Sequence, residues 1–483
     1  MQMEPNVCHA AAEAKDRRYD GLFFIGVAST GIYCRCVCPA RTPKRENRNF
    51  FSSAAGAEKA GFRPCLICRP ECAPGQAPID AAERLAHDAV KRIQAGALEE
   101  RGLEDLAREL GVTGRHLRRV MIRTFGAAPV EIAQTHRLLT AKRLLKETDL
   151  GMTQIAFASG FQSVRRFNSL FVERYGMAPS RMRERGKATD KLRSGGGLSF
   201  TLAPRGVFEG ASPLAHFALR HVARVEAAHA NSGWTRTFAI GAHAGWLTLD
   251  FGGPAPRLTL SDGLMPVFRQ VIAAVRGALD LDADVEAINA FLAQDAVFAR
   301  DIAAFPLLRV PGGLDPFELA VRAVIGQQVT VKAAATIAAR LVDRFGATIE
   351  TDVEGLDRVF PTPARIAEAG KDAIASLGMP GARAETLLRL AQAAADGKLT
   401  LARGAVAAGR EGLARIAGIG PWTIEYVALR GLGDPDAFPL GDSALKAAYD
   451  GDLKRANESW RPWRAYAAAR LWRRGTIIER QAA

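Results

Sequence analysis

All seven cysteines of the 483-residue chain (Cys8, Cys34, Cys36, Cys38, Cys65, Cys68 and Cys72) fall within its first 72 positions. Every constraint that sulfur can impose therefore acts on one small N-terminal piece. Cys34 and Cys38 are four apart, Cys65 and Cys68 three apart, and the second pair begins 27 positions after the first ends. Two short-spaced pairs brought together by the fold place four thiolates around a tetrahedral Zn²⁺. A secreted disulfide scaffold fits poorly, because the count is odd and the opening residues (Glu4, Cys8, His9, Glu13) form no secretory signal. In a reducing cytoplasm such clustering favours a metal site or a reactive thiol.

At about 100–200 residues per domain, this length predicts three or so domains. A hydrophobic share of 48% and a charged share of 24% exclude wholesale disorder. No apolar run reaches the ~18–20 residues of a membrane helix, so the reading is of a cytoplasmic protein with no membrane partner. The net charge is +14, and residues 80–193 contribute most to it, with 22 Lys/Arg against 14 Asp/Glu. A surplus of that kind suits a surface laid along phosphates. Breaker-rich, polar stretches at Ala73–Pro78 and Lys187–Gly197 read as linkers.

The stretch between them reads as all helix. Leu103, Leu106, Ala107 and Leu110 recur at helical spacing and stop at Gly111. After a Val112-Thr113-Gly114 turn comes a helix bearing Arg115, Arg118 and Arg119. The pattern repeats: Thr153 to Ala158 stops at Ser159-Gly160, and Ser163 to Phe171 exposes Arg165 and Arg166. Two tandem helix-turn-helix units are predicted. Farther on, Trp234–Ile240 and Gly245–Phe251 alternate about a Gly-Ala-His-Ala turn, which predicts a β-hairpin. From Met265 onward the Ala- and Leu-rich periodicity predicts helices.

The N-terminal piece carries Gly31-Ile32-Tyr33-Cys34-Arg35, Pro39-Ala40-Arg41, Arg45-Glu46-Asn47 and Ala60-Gly61-Phe62-Arg63-Pro64-Cys65. In these it resembles the zinc domain of Ada-type adaptive-response proteins. The resemblance implies one zinc held by Cys34, Cys38, Cys65 and Cys68. It also implies that Cys34 is the nucleophile that irreversibly accepts a methyl group from a methylated DNA phosphate. Zinc keeps a sulfur as the attacking thiolate. Four thiolates on Zn²⁺ form a net −2 centre, and methylating one removes a unit of the charge that repels DNA. Arg41 and Arg45 are candidate phosphate contacts. Cys36 and Cys72 depart from the pattern, either as competing ligands or as spare thiols.

Phe161-Gln162-Ser163, Phe167, Phe171 and Tyr175-Gly176-Met177-Ala178-Pro179-Ser180 resemble the tail of AraC-type DNA-binding domains. This implies recognition helices that present Arg115, His116, Arg118 and Arg119 in one unit, and Gln162, Ser163, Arg165 and Arg166 in the other. It extends the expected partners to promoter DNA and RNA polymerase, and the location to the nucleoid.

Leu413 to Thr423 reads as a helix, a Gly418-Ile419-Gly420 hairpin and a second helix, the form that brings backbone N–H groups to a phosphate. Asp442 follows Gly420 by 22 positions. With Arg309-Val310-Pro311-Gly312, Ala323-Val324-Ile325-Gly326-Gln327-Gln328 and Trp460-Arg461-Pro462-Trp463, this resembles the AlkA-type 3-methyladenine glycosylases of the helix-hairpin-helix superfamily. The resemblance implies that Asp442 stabilises an oxocarbenium-like sugar and orients or deprotonates the attacking water. It implies too that Trp422, Tyr426 and Trp472 line the pocket for a flipped base, and that Gln328 stands where the family inserts an apolar wedge. Ser443 is a second departure, standing where the family can carry an aromatic. Trp422 replaces the lysine of bifunctional relatives, so no lyase step is expected. The absence of later cysteines rules out an iron–sulfur cluster, and with it the Pro-Cys-His-Arg acceptor of O6-alkylguanine repair.

The expected fold is therefore multidomain and mainly α, with a small α+β zinc domain, an all-α tandem helix-turn-helix domain and an α+β glycosylase domain. The expected divisions are zinc domain 1–78, DNA-binding domain 79–186, linker 187–197, sheet-bearing part of the glycosylase 198–306 and helix-hairpin-helix core 307–483. Two functions are weighed. One is a methylphosphotriester methyltransferase and transcriptional activator fused to a monofunctional DNA-3-methyladenine glycosylase II acting on alkylated double-stranded DNA. The other is a methylation-activated transcription factor whose C-terminal part only binds DNA.

Overall fold

The computed structural model describes residues 5–16, 19, 23–51, 54–68, 70, 85–86, 88–90, 92–94, 96–100, 102–147, 150–184, 193–194, 197–229 and 233–482. The Ala73–Pro78 stretch, Cys72 and most of Lys187–Gly197 lie outside them. The chain divides into two compact units, residues 1–93 with 100–133, and residues 94–99 with 134–483. No helix among the described residues is long and apolar enough to cross a membrane.

The first unit opens with the helix Pro5–Ala14, followed by a four-stranded sheet in the order β3-β1-β2-β4. Its strands are β1 (Phe24–Val27), β2 (Ile32–Arg35), β3 (Arg48–Phe51) and β4 (Arg63–Pro64). β1 pairs antiparallel with both β2 and β3, and β4 runs parallel to β2. The strands are short, and the buried apolar residues fall into small separate groups. Phe23 and Ile25 pack with Cys8 and Cys36, while Phe24, Tyr33 and Ala57 form a second group. A core this thin is the kind that a metal commonly reinforces.

The first helix-turn-helix consists of Leu103–Glu109 and Gly114–Phe125. Thr113 caps the second helix by accepting the His116 N–H at 3.3 Å. The Gly114 N–H donates to Glu104 Oε2 at 3.1 Å, and a Cβ at Gly114 would lie 2.2 Å from the other carboxylate oxygen. The glycine sets how closely the two helices cross.

In the second unit, Met152–Ala158 and Val164–Tyr175 repeat the motif, with Ser163 capping through the Arg166 N–H at 3.2 Å. Phe161, Phe167 and Phe171 form a chain of rings 5.3 and 5.5 Å apart. They belong to one apolar cluster with Phe200, Leu249 and Leu260 of the sheet that follows.

That sheet has six antiparallel strands in the order β5-β6-β10-β9-β8-β7. They are β5 (Arg193–Ser194), β6 (Gly197–Thr201), β7 (Glu226–His229), β8 (Gly233–Ile240), β9 (His243–Asp250) and β10 (Arg257–Ser261). The β8–β9 turn is shorter than the pattern predicts, because Ile240 pairs with His243 and only Gly241 and Ala242 are left to reverse the chain. Gly241, at φ +59°, supplies the left-handed backbone that lets a two-residue turn follow the strand twist. Arg236 lies buried between the rings of Trp234 and Phe238. Its charge is met by Glu226 at 3.2 Å and by Glu318 of the helix Pro316–Ile325 at 2.7 Å. Arg322 closes the network to both carboxylates, which clamps the sheet to the helical bundle.

The bundle packs Pro316–Ile325, Val331–Phe345, Gly381–Ala395, Val406–Ala414 and Pro421–Val427 around a core that includes Val321, Leu341, Leu387, Leu413 and Val427. The fold is thus multidomain and mainly helical, with two small sheets among the described residues, in line with the sequence expectation.

Candidate functional sites

In the first unit, β2 carries Cys34 and the turn after β4 carries Cys65 and Cys68. The Cys65 N–H donates to Tyr33 O at 3.0 Å, which sets β4 beside β2. The ligand atoms of Cys34, Cys38, Cys65 and Cys68 all lie within 4.8 Å of one another. Zinc–sulfur bonds of about 2.3 Å in a tetrahedron put sulfurs ~3.8 Å apart, so the four residues fit the metal. Cys38, Cys65 and Cys68 are buried and Cys34 is half-buried, which makes it the most accessible of the four. Crowding sets the thiols against one another. Cys34 donates to Cys68, and that contact pulls Cys68 down to about 6 and drives Cys34 upward, while burial pushes Cys38 up to about 11. Four thiolates on one divalent cation remove this competition. The Arg35 N–H donates to Cys68 Sγ at 3.3 Å, a neutral dipole aimed at a sulfur of the centre.

Cys36 stands outside this group. It is buried beside Cys8, with its Sγ 3.5 Å from Asp16 O. Strand alternation would keep it on the Cys34 face, but β2 ends at Arg35, and the chain beyond that end carries Cys36 into an apolar group separate from the four ligands. Arg41 is exposed. Arg45 is exposed too, but it grips Glu13 through two bonds of 2.7 and 3.0 Å, and that contact is the main cause holding the Glu13 carboxyl down to about 2. Its charge is already engaged.

Arg115, Arg118 and Arg119 are exposed on the first recognition helix, with Arg119 3.3 Å from His116 Nδ1. Arg165 and Arg166 are exposed on the second. Each helix begins at a capped N-terminus, so backbone N–H groups and guanidiniums share one end.

The other centre lies in the bundle. Gly418 adopts φ +93°, and a Cβ there would fall 1.9 Å from Thr386 Oγ1. Gly420 caps Pro421–Val427, with Pro421 in the first helical turn, where no N–H is needed. Gln327 Nε2 donates to Gly418 O at 3.2 Å and to Thr423 Oγ1 at 3.0 Å. Its neighbour Gln328 is exposed at φ +54°, at the tip of the turn between Pro316–Ile325 and Val331–Phe345. The turn bearing Gln328 is thereby fastened to the glycine hairpin.

Asp442 caps the helix Ser443–Ala447. Its Oδ1 accepts the N–H groups of Ala444 and Leu445, both at 3.0 Å, and the Trp472 indole N–H at 3.1 Å. Its Oδ2 accepts the Trp422 indole N–H at 2.9 Å. Four N–H donors suit the acceptor-only carboxylate, and they fix both oxygens in space. Trp422 stacks on Tyr426 at 5.1 Å and 17°, and Trp472 meets Tyr426 edge-on at 6.2 Å. The sequence-predicted Asp442, Trp422, Tyr426 and Trp472 thus form one half-buried cluster.

Beneath them lies Arg430, which no motif announces. It is buried, with its guanidinium 4.7 Å from the Trp472 ring centroid and 5.7 Å from that of Tyr426. Burial lowers Arg430 to about 10, and burial likewise raises Tyr426. The Arg430 and Arg220 charges outweigh the latter and hold Tyr426 below its usual value. The spacing of four from Tyr426 was the available signal, because the helix continues through the π-turn Ala428–Leu432.

A glycine hairpin followed by a helix-capping aspartate beneath indole rings defines a helix-hairpin-helix base-excision fold, here joined to a four-cysteine zinc domain and two helix-turn-helix units. Family models match in the same order: the metal-binding domain of Ada over residues 7–71, a helix-turn-helix domain over 106–185, the AlkA N-terminal domain over 199–315, and the HhH-GPD superfamily of base excision DNA repair proteins over 321–459. A probable bifunctional transcriptional activator/DNA repair enzyme AlkA of Mycobacterium tuberculosis is 36% identical over 479 residues, covering 96% of this chain and 95% of the relative. The chain belongs to this family of bifunctional activator/repair proteins, which join an Ada-type zinc domain to an AlkA-type glycosylase domain. DNA-3-methyladenine glycosylase 2 of Escherichia coli is 37% identical over 266 residues, 54% of this chain and 91% of that protein. The bifunctional transcriptional activator/DNA repair enzyme AdaA of Bacillus subtilis is 32% identical over 174 residues, 36% of this chain and 79% of that protein.

Proposed function

We propose that this protein senses alkylated DNA through Cys34, activates transcription through its two helix-turn-helix units, and releases alkylated bases through Asp442 as a monofunctional DNA-3-methyladenine glycosylase II. The domains are those drawn from the sequence: zinc domain, DNA-binding domain and two-part glycosylase. The carrying observation is the Asp442 carboxylate, fixed by four N–H donors beside three aromatic side chains.

Cys34, Cys38, Cys65 and Cys68 would hold zinc, which would keep the Cys34 sulfur a thiolate at neutral pH. The Cys34 sulfur attacks the methyl carbon of a methylphosphotriester. A C–S bond forms, the C–O bond breaks, and its electron pair returns the phosphate oxygen to an anion. In the second site, an alkylated purine enters against the aromatic rings. As its bond to the sugar lengthens, positive charge gathers on the sugar and the Asp442 anion opposes it. Asp442 then orients the water that adds to the sugar carbon and takes up its proton, while the departing base keeps the bond electrons, which neutralise its own positive charge. A cationic base leaves without a general acid, which accords with a single carboxylate in the cluster.

The test is base release from alkylated duplex DNA by the native chain and by Asp442→Asn. Native release with at least a hundredfold loss in the variant is expected. If the native chain releases no base but still binds DNA, the C-terminal part is a DNA-binding module.

A further inference from the structure

Leu66 and Ile67, between the second pair of zinc-holding cysteines, are 91% and 65% exposed, the two highest values among the large apolar side chains described. They are not on a loose loop. The Cys65 N–H binds Tyr33 O at 3.0 Å, the Arg35 N–H binds Cys68 Sγ at 3.3 Å, and an Arg35 guanidinium nitrogen binds Cys68 O at 3.2 Å. The turn is therefore held beside Cys34, with exposed Arg63 at its base. A rigid apolar tip in water gains free energy only when something apolar covers it.

The substrate of the proposed methyl transfer offers such a cover. Methylation of a phosphate oxygen removes the negative charge and adds a CH₃ group, so this one phosphate is neutral and partly apolar among anionic neighbours. Lysine or arginine at positions 66 and 67 would attract every phosphate alike. Leucine and isoleucine gain nothing from an anionic diester, whose desolvation they would only make costly.

We propose that Leu66 and Ile67 are specificity-determining residues, an apolar tip that seats against the uncharged methylphosphotriester and so selects damaged phosphate over undamaged phosphate at Cys34. This rests on the methyl-transfer reading, and the test separates the two. Full-length, zinc-loaded protein is given a duplex with one methylphosphotriester, with undamaged duplex as competitor. Affinity for the undamaged duplex is followed against salt, and zinc content is measured throughout.

Leu66→Lys/Ile67→Lys is expected to keep one zinc per chain. It should steepen the log-affinity against log-salt slope by about two, and make undamaged duplex about tenfold more effective as competitor. Leu66→Ser/Ile67→Ser, which adds no cation, should slow transfer about tenfold at subsaturating DNA with little change in the salt slope. If both variants keep zinc, the native transfer rate and the native competition curve, the inference is overturned and the methyl-transfer reading stands. The same holds if they lose only transcriptional activation, which would give the tip to a protein partner. No transfer by the native chain removes the reading itself and the inference with it.

Discussion

At Asp442, the two indoles act through their edges as well as their faces. The resemblance to the glycosylase family places Trp422, Tyr426 and Trp472 together near Asp442, whereas no local spacing links Trp472 to the other three. It does not carry ring orientation, so it suggests a stacking platform and misses that Trp422 and Trp472 each aim an N–H at the carboxylate. It also leaves Arg430 unseen, since a buried arginine under an aromatic ring looks in sequence like any other helical residue. The face of Trp472 toward Arg430 is occupied by a cation, which leaves its N–H edge as the part turned to the chemistry. Trp472→Phe keeps a ring over Arg430 and removes one donor from Oδ1, which retains two backbone N–H groups. A hydrogen bond to a charged group contributes about 1.5–3 kcal/mol. The single-turnover rate of base release should therefore fall about 10- to 100-fold, with affinity for undamaged duplex unchanged. An unaltered rate would leave Trp472 as pocket wall only.

The glycine hairpin shows what an element adds to its residues. Gly418-Ile419-Gly420 announces a tight turn between helices, and the following proline fixes where the second helix starts. The sequence has no means of showing that the turn is buttressed from outside, by Thr386 against the Gly418 Cα and by Gln327 on the Gly418 carbonyl. Those contacts join residues 32 and 91 positions apart. The same limit appears at β8–β9, where alternation located both strands but only pairing fixed the turn at two residues. Gly418→Ala meets two obstacles, a φ of +93° and the Thr386 hydroxyl. Such backbone strain costs about 1–3 kcal/mol, and a hairpin shifted to relieve it no longer aims its N–H groups as before. Affinity for duplex DNA, measured at fixed salt, should drop several-fold or more. Adding Thr386→Ala should recover part of the loss by removing the clash while leaving the φ cost. No recovery would mean that the hydroxyl has room to move.

Across the whole chain, cysteine distribution and core formation describe two different partitions. Breaker-rich stretches mark where no core-forming pattern exists, but not which neighbouring patterns share a core. Phe167 and Phe171 of the second helix-turn-helix lie in one apolar cluster with Leu249 and Leu260, a grouping that no local periodicity encodes. The zinc ligands all belong to the first unit, and the Asp442 cluster belongs wholly to the second, whose sequence contains no cysteine. The thin core around Phe24 and Tyr33 suits a cysteine-bearing sheet that relies on its metal, since structural zinc typically supplies on the order of 10 kcal/mol or more of folding free energy. The second unit has the large cluster around Val321 and Leu387 and needs no such support. A strong chelator should therefore abolish methyl transfer while base release stays within about twofold of its untreated rate, both measured on one preparation. Cys34→Ser should reproduce the loss of transfer without chelator. Should chelation silence base release as well, the two activities share a folding dependence that the separate cores do not account for.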